Sequence, residues 1–411
     1  MSPVELTDRL RREGARIGLD AVGVAPAVRP AGHENYLHWL KQGRAAGMAY
    51  MEREPANRAD PGRVLEGARS VVVASLVYGA RVEAPPRAGP EPARGKIARY
   101  AQGRDYHQVL REKLDRLLDW LKSEAPQLRG RVVVDTAPLL ERDFAQAAGL
   151  GWIAKNTMLI NRRLGSYTFL GAILVDLELA YDQPHQVNHC GTCTRCLDAC
   201  PTQAFAGPYE LDARRCISYW TIEHKGVIPD QAAEALHGWA FGCDICQDVC
   251  PWNRKAARLR EPELEPRPEW LEPDLIEWLT LDPARWRSLL AGSALERAKR
   301  RGLVRNAALI LGQARVAEAA RPLAELLDST SEHPTIRASA AWALGRIATP
   351  EALAALLPHR DDPDPVVNPA VLHAVAHLRA REQNEKKGPA SPSDAPAPRE
   401  NTIRDHDAGG E

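Results

Sequence analysis

The cysteines constrain this chain more than any other feature. Cys190, Cys193, Cys196 and Cys200 precede Pro201 in a C-x2-C-x2-C-x3-C-P run, and Cys216 is followed by Cys243, Cys246 and Cys250 before Pro251. Three thiolates spaced in this way wrap three irons of one cubane, while a fourth, set off by a turn and a proline, points toward a second cubane. The spacing therefore assigns Cys190, Cys193, Cys196 and Cys250 to one 4Fe-4S cluster and Cys200, Cys216, Cys243 and Cys246 to the other. No cysteine of the chain is left over. Structural zinc uses similar C-x2-C pairs, but the C-x3-C-P endings favour iron. A disulfide framework is disfavoured in a chain long enough to build its own core and without a secretory signal. Two adjacent clusters make an electron conduit, although they do not say what is reduced.

A chain of 411 residues is expected to form two or three domains. Its opening stretch, Met1 to Asp20, holds no apolar run long enough for a signal peptide or a membrane span, so a cytoplasmic protein with no membrane association is expected. Lysine plus arginine and aspartate plus glutamate both number 54. With a net charge of zero, any polyanion has to be met by a local patch.

Residues 1–185 read as an α/β domain. Val4 to Gly18 has helical spacing, and Tyr106 to Lys122 and Pro138 to Ala148 are further helices, the last with proline in its first turn and Gly149 just past its end. Ser70–Tyr78, Arg131–Val134 and Gly171–Val175 are apolar, β-branched runs that suit a sheet covered on both faces. Ala84 to Gly95 is a proline- and glycine-rich loop. Asp135 stands where its strand runs out. A carboxyl there, facing an apolar cleft, is open to a raised pKa and a proton-donor role, with a turn aspartate as the plain alternative. The turn Gly149 to Thr157 matches no phosphate or dinucleotide fingerprint.

Residues 186–258 form a ferredoxin-like domain for the two 4Fe-4S clusters, with an insertion, Ile217 to Gly226, that an electron carrier alone does not need. Residues 259–294, rich in proline, read as a linker. From 295 to 380, Val304 to Gly312 is echoed by Ile336 to Gly345 and more weakly from Asp364, which indicates all-α HEAT-like repeats. Arg297, Lys299, Arg300, Arg301 and Arg305 make the densest basic cluster of the chain, suited either to a solvated helix face or to a phosphate backbone. The tail, 381–411, has a disordered composition.

Several stretches together resemble one family, the bacterial epoxyqueuosine reductases. They are Ile97–Ala101 with Asp105–His107, Val134–Pro138, Gly149–Ile153 with Lys155–Thr157, Gly165–Ser166 with Phe169–Gly171, Cys216–Tyr219 with Thr221–Glu223, and Gly242–Gln247. The resemblance runs from about residue 5 to about 380. Ala154 stands where the family usually has glycine, and Ala172 where an acidic residue is usual.

The resemblance implies an oxidoreductase of the last step of queuosine biosynthesis, reducing epoxyqueuosine at the wobble position of tRNA. It also implies cobalamin, bound base-off between the α/β and cluster domains, an arrangement shared with the reductive dehalogenases. The base-on signature Asp-x-His-x-x-Gly is absent; Asp105–Leu110 comes nearest but lacks its glycine. Electrons from an unidentified low-potential donor would pass through the clusters to cobalamin, and Asp135 would protonate the epoxide oxygen as it leaves as water. The same carry-over places Arg58, Ile97, Asp135, Lys155, Asn156, Thr157, Ser218 and Asp244 at the cobalamin. It places Glu223, His224, Lys225, Lys299, Arg300 and Arg301 at the tRNA, on a monomer. The rival readings are a cobalamin reductase of a small substrate such as an organohalide, a two-cluster electron carrier, and a zinc-stabilised RNA-binding scaffold. None of the three accounts for clusters, insertion and repeats together.

Overall fold

An apolar β-branched strand has to be covered on both faces, and Ser70–Val77 is buried at every position. In the computed structural model, which describes residues 1–53, 55–79 and 93–387, it is a central strand. The sheet order is Ala21–Pro26, Ser70–Val77, Thr168–Val175, Gly130–Val133, with every pairing antiparallel. Helices nevertheless cover both sides. Pro3–Ile17 and Tyr106–Glu124 press Leu10, Leu110 and Leu114 onto Val72 and Ile173, and Glu141–Ala147 presses Phe144 and Ala145 onto Val71, Val73 and Ala172. The first helix opens with a Ser2–Glu5 capping box and closes at Gly18 with φ 93°.

The helix expected from Pro138 begins only at Glu141. Tight turns, Thr136 N to Val134 O and Leu139 N to Ala137 O, take up the intervening residues. Of the expected loop Ala84–Gly95, positions 84–92 lie outside the described residues.

The segment 259–294 is not a free tether, contrary to its composition. Three of its five prolines sit in the first turns of short helices, Pro262–Leu264, Pro268–Trp270 and Pro283–Leu290. Trp270, Trp278 and Trp286 meet edge to face, with centroids 6.1 and 5.5 Å apart. These indoles join the core of the repeat helices, and their apolar area outweighs the stiffness of the prolines.

The repeats themselves are helix pairs, with Lys299–Gln313, Pro334–Ile347 and Val367–Lys387 stacked in succession. A Cβ on Gly312 would lie 2.6 Å from Ala343 Cα, and one on Gly345 would lie 2.9 Å from Ala374 Cα. The Leu-Gly ending of each repeat thus marks where the next helix crosses. The last helix reaches Lys387, past the start of the expected tail; 388–411 lie outside the described residues. Among the described residues no helix is long and apolar enough to cross a membrane.

Replacing Gly312 by valine pushes these two helices apart. The expected cost is about 1–3 kcal/mol, read as a lower urea midpoint of the helical circular-dichroism transition. A wild-type midpoint would mean that the helix spacing is set elsewhere.

Candidate iron–sulfur and reaction site

The structure brings the eight cysteines into two crossed groups. Cys196 feels the charges of Cys190, Cys250 and Cys193, and Cys250 feels Cys190 and Cys193. Cys243 feels Cys216 and Cys200, and Cys246 feels Cys216, Cys243 and, across the gap between the groups, Cys196. The first quartet lines a cavity of about 40 Å³ together with Lys155, Arg195 and Trp252. Lys155 Nζ ties down the cysteine loop by donating to the carbonyls of Gly191 (2.7 Å) and Cys193 (3.0 Å). Trp152 stands edge-on to Trp252 and His189 behind it.

Among the described residues no three His, Cys, Asp or Glu side chains converge on a position for a single metal ion. A cubane holds its thiolates at the corners of a larger body, so this donor set fits a cluster better than zinc. Burial, and then the neighbouring thiolates, push Cys243 up to about 12 and Cys246 well above its ordinary value. Iron binding therefore has to displace the protons of these sulfurs.

The second quartet forms part of the wall of a larger cavity, about 390 Å³. Tyr78, Tyr100, Tyr106 and Phe169 of the α/β domain face it from the other side. Tyr106 stacks on Phe169 at a 4.2 Å centroid distance.

Asp135 reaches this cavity from a three-residue turn at the strand end, in a left-handed conformation (φ 55°) uncommon for a residue with a Cβ. Its side chain is 62% exposed, and Oδ2 lies 3.1 Å from His107 Nε2. The other ring nitrogen, Nδ1, is 2.8 Å from Asp105 Oδ1, and Asp105 also caps the helix Tyr106–Glu124. Burial lowers the His107 pKa, but the two carboxylates outweigh it and raise it to about 9. The His107 hydrogen bond in turn holds Asp135 below the ordinary carboxylate range, against a smaller effect of burial. The raised pKa expected for Asp135 is therefore reversed: the proton of this pair rests on the imidazole.

A raised carboxyl does line the cavity, on a residue the sequence did not single out. Burial pushes Glu141 up to about 8, and its Oε1 is buried with no hydrogen-bond partner. Asp244 is similar, raised to about 6 mainly by burial. Its Oδ2 accepts from Arg99 N at 2.8 Å, and its Oδ1 has no partner.

Asp135, Asn156, Thr157, Ser218 and Asp244 line the large cavity. Three other residues expected with them are not in its lining. Lys155 is at the first quartet, Ile97 is buried opposite Phe241 in a short parallel pairing, and Arg58 stacks over Tyr36, 5.5 Å from its ring centroid.

The insertion forms a π-helical turn, Tyr219–Glu223, an element frequent at functional sites. Glu223 pairs with Arg297 through both oxygens (3.0 and 2.8 Å). Lys225 donates to the carbonyls of Ile222 and Arg297, and His224 Nε2 meets Val227 O. Of the basic run, Lys299 is exposed, Arg300 pairs with Glu332 and Arg301 contacts His333. Arg305 is buried and gives its protons to the carbonyls of His224, Gly226 and Trp220, so it is a structural residue.

This arrangement defines an oxidoreductase in which a two-cluster iron–sulfur domain feeds a cavity walled by an α/β domain and braced by helical repeats. The family description "4Fe-4S double cluster binding domain" matches residues 189–253, "HEAT repeats" matches 290–376, and "Epoxyqueuosine reductase QueG, DUF1730" matches 58–136. Two relatives are named epoxyqueuosine reductase. The Pseudomonas aeruginosa protein is 39% identical over 84% of this chain and 95% of its own length, and the Synechocystis protein 43% identical over 70% and 98%. A crystal structure of epoxyqueuosine reductase with an epoxyqueuosine-modified tRNA stem loop superposes with a TM-score of 0.86 at 33% identity, covering 91% of this chain and 99% of that one. A Bacillus subtilis epoxyqueuosine reductase with its catalytic aspartate loop swung out of the active site gives 0.85 at 32%, with the same coverage. The chain belongs to the epoxyqueuosine reductase family and is an oxidoreductase that reduces epoxyqueuosine.

The crossed quartets make a distinguishing demand on variants. Cys250→Ala and Cys190→Ala should each lose the same cluster, about half of the bound iron, and leave the same reduced-state EPR spectrum; Cys200→Ala and Cys243→Ala should share the other spectrum. If Cys200→Ala instead matched Cys190→Ala, the crossing would be wrong.

The pH profile follows from where the proton rests. Below about pH 9 the His107–Asp135 pair carries its proton, and above it the pair is empty, so kcat/KM should fall as pH rises through about 9. In His107→Gln the proton must come from a carboxyl titrating near its ordinary value of about 4, so the fall should move several units toward acid. An unmoved profile would remove His107 from proton supply.

Proposed function

We propose that the chain reduces epoxyqueuosine carried in tRNA to queuosine, with cobalamin bound base-off in the large cavity and the cysteine quartets holding two 4Fe-4S clusters. The observation that carries this reading is the chain of hydrogen bonds Asp105–His107–Asp135 ending at the mouth of a cavity whose opposite wall holds the second quartet. The relative crystallised with an epoxyqueuosine-modified tRNA stem loop supports a tRNA substrate, and the relative with a movable catalytic aspartate loop supports a role for an aspartate presented on a turn.

The cavity residues suit a corrin. The partnerless oxygens of Glu141 and Asp244 are what a ring fringed with amides would satisfy, and the aromatic walls suit its hydrophobic edge. Among the described residues lining the cavity there is no histidine, which supports the base-off reading. Clusters and cobalamin, when bound, supply electrons one at a time at low potential. The overall change is two electrons and two protons added to the epoxide, both carbon–oxygen bonds broken, and an alkene and water formed.

The protein's own residues handle the protons. Asp135 passes a proton from His107 Nε2 to the epoxide oxygen, because an alkoxide leaves poorly; a positioned donor is worth about a hundred- to ten-thousand-fold. His107 keeps its Nδ1 proton on Asp105, so the ring stays aimed at Asp135. Tyr50, over which Arg297 stacks at 5.2 Å, lies where it feels both Glu223 and Asp135. Glu223 is thus near Asp135, which supports an anticodon loop entering against Glu223, His224, Lys225 and the run Lys299 to Arg301.

The test is an anaerobic assay of cluster-loaded protein with cobalamin, a strong reductant and tRNA bearing epoxyqueuosine, its nucleosides read by mass spectrometry. Loss of one oxygen from the modified base, dependent on cobalamin, is expected. Asp135→Asn should keep iron and cobalamin while turnover falls by about a hundredfold or more. Full turnover in that variant would end the proton-donor role, and loss of oxygen without cobalamin would end the cofactor assignment.

A further inference from the structure

A group of exposed basic side chains gathers around the first cysteine quartet of this electrically neutral chain. Arg162, Arg163, Arg195, Arg254, Lys255 and Arg258 are all exposed, and among the described residues none has a side-chain hydrogen bond or ion pair. Residues 160–165 and 250–260, which carry five of them, contain no acid. The segments interlock: Ala257 N donates to Arg163 O at 2.9 Å, Ser166 N donates to Asn253 Oδ1 at 2.8 Å, and Arg195 lines the quartet's cavity beside Pro251 and Trp252.

Two exposed apolar side chains accompany the same quartet. Val187 is 58% exposed shortly before Cys190, and Tyr209, 47% exposed, lies near enough to Cys190 to feel its charge. Its backbone N–H is held by Lys155 O. An apolar centre with a charged rim is the anatomy of a protein–protein contact, and here it surrounds the quartet farther from the reaction cavity.

We propose that this face docks an acidic one-electron carrier protein, which delivers electrons to the cluster held by Cys190, Cys193, Cys196 and Cys250. The proposal rests on the epoxyqueuosine-reducing reading above. Each docking oxidises one carrier by one electron and reduces the cluster by one. Two deliveries and two protons turn one epoxide into an alkene and water. A positive rim steers an acidic carrier into contact and leaves the apolar centre to set the distance.

The test uses the cluster-loaded full chain and its Arg163→Glu/Arg254→Glu/Lys255→Glu variant, with a plant-type 2Fe-2S ferredoxin as the acidic probe. Visible cluster absorbance confirms that the variant is folded. At low salt the variant should bind oxidised ferredoxin about tenfold or more weakly and be reduced by its reduced form about tenfold or more slowly. The steep salt dependence of the wild type should flatten. Reduction by photoreduced deazariboflavin, small and uncharged, should not change. Equal ferredoxin binding and reduction by both proteins would overturn the proposal, as would a variant that loses affinity for tRNA while taking electrons normally, which would make the face a phosphate-binding one. Failure of the wild type to reduce the epoxide with deazariboflavin would instead count against the underlying reaction, since docking is read from binding and cluster reduction alone.

Discussion

The convergence of cysteines from two separated stretches is the constraint on which the rest of the structure depends. Cys250 can join Cys190, Cys193 and Cys196 only if the chain leaves after Cys200, travels through Cys216 and the insertion, and returns at Cys243. The excursion is therefore closed at both ends, and its residues must lie against the quartets. Ile217 and Ser218 line the large cavity for that reason. The insertion that looks superfluous in a plain electron carrier is the part of the loop that turns an electron conduit into one side of a reaction chamber.

A loop held only at its cysteine ends would be free in between, and the helical repeats supply the missing restraint. Arg305 and Asn306, both buried, reach into the excursion. Asn306 Nδ2 donates to the carbonyls of Thr221 and Ala240 (2.9 and 2.8 Å), and its Oδ1 accepts from Arg305. Burial pushes Arg305 down, to about 9, with the nearby Arg301 adding to the effect. Its stability there depends on the carbonyls that receive its protons, since a buried guanidinium without acceptors is costly. The repeats are thus built into the chamber wall, and anything that moves the first repeat helix also moves Ser218 and its neighbours.

The sequence disclosed what depends on spacing and concealed what depends on direction. Cysteine spacing was enough to sort the eight thiols into the two groups that the fold brings together, because a turn of a few residues permits few other arrangements. The β-branched runs located the sheet, yet not that it is antiparallel, since double-sided burial looks the same for either sense. Composition misled at 259–294: prolines suggested a tether, whereas the evenly spaced tryptophans were the stronger signal. The basic run before the first repeat looked like one surface, but Arg305 points inward and Arg297 and Arg300 are paired with acids. Asp135 was legible as a strand-end carboxyl, but its protonation was not, because it is set by His107, which comes from another element. Glu141 carried no local signature; only the cavity beside it makes its burial meaningful.

Of the carboxyls at the cavity, Glu141 and Asp135 illustrate a division that follows from their surroundings. Burial raises Glu141 to about 8, and its Oε1 has no hydrogen-bonded neighbour to hand it a proton. Asp135 is open to solvent and linked to an imidazole that Asp105 keeps in place, so in the proposed reaction a proton given to substrate is replaced along His107. A group that must act once in every turnover needs the second arrangement. In the same proposal a carboxyl that donates a hydrogen bond to a bound ring is better served by the first, because its protonation has to outlast each turnover. The left-handed turn at Asp135 fits the same requirement: it costs backbone strain, but it aims the carboxylate across the cavity mouth at a point that an ordinary strand end would miss.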